Sequence, residues 1–503
     1  MNAYLNRCLM HKYFWQVSLL PITVLILSSC GGSSSSSSTA TYTVGGTVTG
    51  ANSAIIVVND TGAENPDIIS ANTSFSFSAL PQSGACYTTG CAYSVSIVNQ
   101  PTGQVCSVTN AAGNIGSANV TNIAITCVTS PQSTAYSFPG GSGGGQPNSG
   151  LSQGSDGFFY GVSASGGVNG FGTFYRFKPS SQQFTSLYSF GGIATDGRTP
   201  QSGLTQACDG DWYFPTTSGG LNNSGTFSKI TSAGVESVLY SFGATSIDAA
   251  NPQGLTIDTT SCPNPTPIFY GTSTSGGTNG AGTIFSITSD GVKNVLYSFG
   301  ASATDGATPL AGLARGSDGN FYGTTSGGGE YGYGTFFKYD PRTPHVISLL
   351  HSFGGTAADG QYPDQKPLQG ADGNFYGTTS AGGSNGVGII YKIIPTSGAE
   401  TVFYTFRGGT TDGATPSSRL KIGADGNFYG LTFSGGYFND GTFYQITPAG
   451  VLRLLYSFAG VDSADGAMPD ASLLQASDGF WWGTTVSGGT SGQGTIFSIR
   501  VAP

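Results

Sequence analysis

The chain has 503 residues, only 9 % of them charged, and a formal net charge of −9. With 17 Lys+Arg against 26 Asp+Glu and no basic stripe, the composition argues against a nucleic-acid partner. Its 81 glycines, many β-branched and aromatic residues and few apolar runs at 3.6-residue spacing argue for an all-β chain.

Residues 1–30 read as a targeting segment. Arg7, His11 and Lys12 open it, and Val17–Leu27 is an apolar run too short to span a bilayer comfortably. It ends in Leu27-Ser-Ser-Cys30, which resembles a bacterial lipobox. The resemblance implies that Cys30 becomes the mature N-terminus and carries the lipid; the alternative is an ordinary secretory signal. Several acyl chains on one residue would anchor the chain stably, each buried methylene contributing about 0.8 kcal/mol. Gly31 follows, not the aspartate often used for inner-membrane retention, which points to the outer membrane of a Gram-negative cell. Residues 31–39, rich in Gly and Ser, form a flexible tether.

Residues 40–128 are predicted to form a small β-sandwich of immunoglobulin or transthyretin type. Tyr42–Val48, Ala54–Val58, Ser74–Phe77, Tyr93–Ile97 and Asn119–Cys127 alternate or run apolar between turn residues. The segment resembles sandwich modules that follow lipoprotein tethers, down to Pro101-Thr-Gly-Gln-Val-Cys106 and a closing Cys127. Four cysteines here allow three connectivities. The module implies Cys106–Cys127, leaving Cys86–Cys91, and an oxidising compartment makes bridges reasonable. Residues 129–134 read as a linker.

From 135 to the C-terminus one phrase dominates. Asp318-Gly-Asn-Phe-Tyr-Gly-Thr-Thr returns at Asp372, Asp425 and Asp478, more loosely at Asp156 and Asp209, and most loosely at Ile268. A second marker, aromatic-Ser-Phe or a close variant, recurs at Tyr136, Tyr188, Tyr240, Tyr297, His351, Tyr404 and Tyr456, 52 to 57 residues apart. A period of this size signals a repeat architecture. In the fourth copy, Leu310–Gly316, Phe321–Ser326, Thr335–Tyr339 and Ile347–Phe353 read as four strands. The Asp318-Gly319 pair between the first two predicts a type I′ hairpin turn. Four antiparallel strands per copy, seven times, predict a seven-bladed β-propeller. The first marker precedes any blade of its own, and the last copy stops after Gly494–Ile499 with no fourth strand. The N-terminal strand is therefore predicted to complete the last blade and close the ring; an open solenoid is the rival. Cys208 and Cys262 precede the aromatic pair in consecutive copies, so a bridge between neighbouring blades is expected.

No catalytic constellation is identified. His345 and His351 are the only histidines beyond the targeting segment, and His351, standing where six copies have tyrosine, reads as a packed strand residue. Gly327-x-Gly-x-x-Gly332 and Gly382-Gly-Ser-Asn-Gly386 imitate a dinucleotide fingerprint and a nucleophile elbow, yet lie between strands with no helix to follow. The aspartates of the Asp-Gly turns serve their turns. A second set, Asp196, Asp305, Asp359, Asp412 and Asp465, with Asp248 in a looser copy, precedes the prolines. They read either as Asx-turn caps or as a carboxylate ring at the tunnel mouth, able to hold Ca²⁺. Variation between copies marks candidate ligand contacts at Arg198, Glu330, Tyr331, Tyr333, Tyr362, Tyr437 and Phe438.

The repeat unit resembles the GloVer tandem repeat of "choice-of-anchor" bacterial surface proteins, from about Ala135 to the C-terminus. Phe214 departs from it by replacing a glycine, and the Asp-Gly turn before Ile268 is lost. The resemblance implies a propeller and supplies no active site. Asp478-Gly-Phe-Trp-Trp-Gly-Thr is similar to the sensor propellers of two-component regulators. These readings converge on a lipid-anchored envelope protein whose propeller binds or displays a carbohydrate or protein ligand. The alternatives are a polysaccharide lyase or glycosidase with its site on the loop face, and a calcium-stabilised scaffold.

Overall fold

A computed structural model describes residues 41–51, 55–59, 67–69, 72–77, 90–99, 104–129, 132–261, 266–460 and 465–501. The targeting segment, the tether, Cys30, Cys86 and Cys262 lie outside the described residues. Those described contain strands, loops and two short 3₁₀ turns, Gly141–Gly143 and Thr259–Ser261. No helix among them is long and apolar enough to cross a membrane. They fall into two compact units, which meet in sequence near Cys127–Val128, with 104–105 grouping with the second.

The first unit holds two four-stranded sheets. One runs in the order Ser74–Phe77, Val44–Thr49, Val120–Thr129, Gln104–Thr109, and the other Asp67–Ile69, Ile55–Asn59, Ala92–Asn99, Ala112–Asn114. Period-two alternation buries Phe75 and Phe77 on one strand and Ile123, Ile125 and Cys127 on another. A disulfide joins Cys106 to Cys127, and Cys91 and Cys208 are also disulfide-bonded.

The second unit is built, among the described residues, from seven sheets of four or five strands, with four two-stranded ribbons beside them. Sheet 4 shows the pattern: Ala314–Arg315, Phe321–Thr325, Thr335–Tyr339 and Ile347–Ser352, each antiparallel to the next. The second strands of sheets 1 to 7 are Phe159–Ser163, Trp212–Thr216, Ile268–Gly276, Phe321–Thr325, Phe375–Thr379, Phe428–Gly435 and Trp481–Thr485. Sheet 7 takes its outer strand from the other end of the chain. Gln132–Ser137 lies antiparallel to Thr495–Ile499, with Ser133 opposite Ser498 and Ser137 opposite Thr495.

The core lies between the sheets, because each sheet is apolar on both faces. Seven clusters fill seven interfaces. Phe336, Phe353, Phe375 and Tyr391, for example, join sheets 4 and 5, and Phe138, Phe159, Trp482 and Ile496 join sheets 7 and 1. A backbone clamp repeats at the same interfaces. The residue before each proline, from Gln146 through Thr199, Asn251, Thr308, Tyr362 and Thr415 to Met468, holds φ between 52° and 59°. Such values are uncommon outside glycine and outlying for threonine. Each donates its N–H to a carbonyl of the preceding sheet: Thr308 to Ala281, Met468 to Asp440, and Gln146 to Gln493 across the chain ends. The proline then packs over that sheet's last loop glycine, leaving no room for a Cβ.

Two expectations are corrected. The Asp-Gly turn is not type I′. Only its glycine takes positive φ, 83° at Gly319, while Gly319 N–H bonds to Gly316 O. That is a type I turn closed by a left-handed glycine, with Asp318 Oδ1 accepting the N–H of Asn320. The first strand is also shorter than predicted, two residues in sheet 4. The carbonyls of Ala311 and Leu313 instead accept hydrogen bonds from Thr272 and Thr256 of sheet 3.

Phe214 has a structural partner. In the six other sheets a glycine faces a large aromatic on the third strand, as Gly377 faces Tyr391 and Gly323 faces Phe337. In sheet 2, Phe214 faces Ser228, so the bulky ring has crossed to the neighbouring strand. Where the large residue is tyrosine, its hydroxyl is stranded: Tyr175, Tyr391 and Tyr444 are fully buried with no hydrogen-bond partner. Tyr391→Phe is expected to raise the unfolding free energy by about 1 kcal/mol, because it removes an unsatisfied buried group. Chemical denaturation measures it, and a fall in the midpoint would show a hidden partner.

Candidate functional site

The segments between each proline and the first strand of the sheet, with Lys421 at the start of that strand in sheet 6, carry the groups that depart most from the repeat. After each proline the chain runs inward, and in sheets 5, 6 and 7 it reads Asp364-Gln-Lys366, Ser417-Ser-Arg419-Leu-Lys421 and Asp470. Contacts between non-adjacent sheets show that these positions converge on the axis. Lys366 Nζ, in sheet 5, donates to Thr256 Oγ1 of sheet 3 at 2.6 Å. The Asp470 charge of sheet 7 also acts on Asp364 of sheet 5.

All five charged groups keep partial solvent access while protein surrounds them. Burial, then Asp470, pushes the Asp364 carboxyl up to about 7. Burial likewise pushes Asp470 to about 7, against a hydrogen bond from Ser417. Burial holds Lys366 well below its ordinary value, reinforced by the Arg419 and Lys421 charges. Lys421 is held to about 8 by burial and then by Arg419. None of these three cations has a carboxylate within 4 Å among the described ion pairs. Arg419 Nε and Asp364 Oδ1 are buried without partners. The axis therefore gathers three basic side chains with no close carboxylate beside two carboxyls whose ionisation burial disfavours. Sequence reading missed this cluster; its signal was charge where other copies carry Gln, Ser, Gly or Leu.

The loop aspartates serve a different purpose. Asp412 accepts the Tyr404 hydroxyl at 2.8 Å and the N–H groups of Arg407 and Gly413. Asp196, Asp248, Asp305 and Asp465 accept Tyr188, Tyr240, Tyr297 and Tyr456 in the same way. Asp359 takes the amides of Gly354, Gly355 and Gly360. Each carboxylate closes its own loop, and no three of the six form a ligand cluster among the described residues. Of the two readings, these contacts favour the loop cap: the side chains are turned into their loops, where five accept a tyrosine hydroxyl and backbone donors and Asp359 accepts backbone donors alone. Five of the six Asp-Gly turn aspartates are also clasped by tyrosine, as Asp318 is by Tyr322 at 2.9 Å; Asp478 has Trp482 at that position.

The predicted ligand contacts stand in four separate groups. Glu330 and Tyr331 line an open groove of about 460 Å³ with His351, Asp359 and Glu400. Tyr333 packs edge-on against Tyr362, and Tyr437 against Phe438. The Arg198 guanidinium lies over the Phe171 ring, 4.3 Å from its centre.

Opposed titrations set the pH dependence of stability. Asp364, Asp470 and Glu236 sit near 7 when folded, against ordinary values of 3.8, 3.8 and 4.5. Their contribution is complete below about pH 4 and declines as pH rises toward 7. Asp318, held at about 2 against the opposing effect of burial by Asn320 and Tyr322, contributes above pH 4 and loses that contribution in acid. The three raised carboxyls should lower the melting temperature between about pH 4 and 7, and Asp318 should lower it in acid below pH 4, while Lys366 and Lys421, held below their ordinary 10.5, oppose the fall and add stability toward alkaline pH. Asp364→Asn with Asp470→Asn should flatten the profile between pH 4 and 7, and an unchanged profile would contradict these assignments.

Sheets of this kind, packed face to face around an axis, define a β-propeller-type repeat protein. The chain belongs to the Gloeobacter/Verrucomicrobia repeat family, which matches residues 71–264 and 259–497. No curated protein sequence matches it. Among solved structures it is similar to virginiamycin B lyase from Staphylococcus aureus, with 15 % identity, 74 % of this chain and 98 % of that one covered, and a TM-score of 0.46. It is similar to oligogalacturonate lyase from Vibrio parahaemolyticus, with 12 % identity, 82 % and 99 % covered, and a TM-score of 0.44. The extracellular domain of a hybrid two-component system from B. thetaiotaomicron matches at 10 % identity, 74 % and 40 % covered, and a TM-score of 0.49. The two lyases are β-propeller-type proteins, and these likenesses concern fold alone.

Proposed function

We propose that this chain is a lipid-anchored envelope protein whose seven sheets are the blades of one closed propeller, binding an anionic saccharide at the axis. Cys30 carries the lipid, the 31–39 tether lifts the folded units from the outer membrane, and the first unit is a β-sandwich spacer. The observation that supports the binding reading is the trio Lys366, Arg419 and Lys421, which mutual repulsion and burial destabilise and no carboxylate neutralises. An incoming carboxylate or sulfate would relieve that repulsion, and the neighbouring Ser417 and Gln365 suit hydroxyl recognition. Titration calorimetry with a short galacturonate oligomer tests it. Binding should weaken at least tenfold in Arg419→Gln and be absent for the neutral galactose oligomer; equal binding of both sugars would overturn the reading. Metabolic labelling with palmitate, lost in Cys30→Ser, tests the anchor.

A second reading, an enzyme acting on the same saccharides, is favoured by Asp364 and Asp470. Two coupled carboxyls near neutrality are suited to acid–base work. Product release abolished by Asp470→Asn, with binding retained, would establish it.

A further inference from the structure

The marker residue on the outer strand of one sheet packs against a residue near the start of the outer strand of the next: Tyr297 and Ile347 share one apolar cluster, and Tyr404 and Leu452 another. Tyr136 stacks on Phe184, with ring centres 4.1 Å apart. Between sheets 2 and 3, Lys293 places its ammonium on Asp248, beside Tyr240. Between sheets 4 and 5 the marker is His351, the facing residue is Glu400, and the loop carboxylate is Asp359.

Those three offer ligand atoms within 4.8 Å of one another, the one such cluster among the described residues. His351 Nε2 stands 3.4 Å from Asp359 Oδ2, yet it makes no aligned hydrogen bond and is buried. Glu400 Oε1 is also buried without a partner. In five other copies a tyrosine hydroxyl donates to the loop aspartate at 2.6–3.0 Å; histidine forgoes that bond here. Where the sheet 2–3 interface supplies a lysine cation, this one supplies a second carboxylate.

We propose that His351, Asp359 and Glu400 bind a divalent transition metal such as Zn²⁺, at a site distinct from the axial one and independent of the saccharide reading. One imidazole nitrogen and two carboxylate oxygens are a zinc-type donor set and too few for Ca²⁺. Ligands of a tetrahedral ion at about 2.0 Å lie about 3.3 Å apart, the His351–Asp359 separation already present, and a rotamer change of Glu400 completes the face. The amides of Gly354 and Gly355 donate to Asp359 Oδ2, the oxygen that faces His351, and that of Gly360 to Oδ1, so they fix the carboxylate beside the imidazole as outer-shell donors fix metal ligands. The fourth position opens on the groove where Glu330 and Tyr331 stand, so the ion keeps an exchangeable solvent or ligand site.

The test is Co²⁺ titration of the metal-stripped full chain, followed by visible absorption and competition with Zn²⁺. One equivalent of Co²⁺ should give the intense bands of a four- or five-coordinate site, discharged by one equivalent of Zn²⁺. His351→Tyr, which installs the residue of the other copies, should weaken binding at least a hundredfold while the melting temperature without metal stays level or rises. Glu400→Gln should weaken it at least tenfold, and His345→Gln should leave it unchanged. Binding that survives both His351→Tyr and Glu400→Gln, or no Co²⁺ bands in the native chain, would overturn the proposal and leave a His351–Glu400 ion pair in its place.

Discussion

Replacing Phe138 with alanine is expected to lower the unfolding free energy by about 3–5 kcal/mol, as much as the same change at Phe353. The comparison is the point. Phe353 lies mid-chain, between sheets 4 and 5, and is fully buried among Phe336, Phe375 and Tyr391. Phe138 lies at the start of the second unit, and in an open array its ring would face solvent at a free end. It is instead fully buried among Phe159, Tyr175, Trp482 and Ile496. Its ring meets Tyr136, Tyr175 and Phe184 edge-on at 5.2–5.4 Å. Equal losses mean that the interface between the chain's two ends is as well packed as one in the middle. A loss below about 1 kcal/mol at Phe138, with the full loss at Phe353, would mean the ends do not meet. Urea denaturation of the two variants decides it.

The second large effect is a coupling. Phe214→Gly should cost about 3–5 kcal/mol, because it empties a fully buried site that Ser228 is too small to fill. Ser228→Tyr alone should cost about 1–3 kcal/mol, because two aromatics then compete for one volume. Made together, the changes restore the Gly/Tyr couple of sheets 1, 5 and 6, and the double variant should be more stable than Phe214→Gly by at least about 2 kcal/mol. Simple addition of the two losses would show that sheet 2 holds Phe214 for some reason other than volume.

The architecture was largely legible because it is repeated. A fixed period, a pattern that alternates strand by strand and an orphan first marker are local properties of the sequence, and together they placed the outer strand of sheet 7. The turn type was misread because Asp-Gly serves two hairpins alike; the difference is a three-residue loop with one positive φ instead of two. The pre-proline clamp was not legible, since no propensity favours threonine at positive φ. It becomes intelligible only when the N–H of Thr308 is seen bonded to the sheet before it.

The sites were legible in part for the same reason. Glu330 and Tyr331 stood out as departures from the repeat and do line a groove. The loop aspartates were conspicuous by repetition and proved to be internal, because their tyrosine partners lie eight or nine residues upstream and meet them only after the strand has turned. Lys366, Arg419 and Asp470 are departures too, but their significance depends on three sheets meeting at an axis. His351 reads as a strand residue, which it is. That it meets Glu400 follows only from how the next sheet packs against its own.

The circuit of seven sheets is tested most directly by a cross-strand disulfide. Ser133 and Ser498 are register partners on strands 365 positions apart in the chain. In the Ser133→Cys/Ser498→Cys variant, mild oxidation should give one intramolecular bond linking the two peptides in nearly every molecule, with a raised melting temperature. Two thiols that stay free under the same oxidation, in a chain that is otherwise folded, would contradict the closed circuit and the axial site with it.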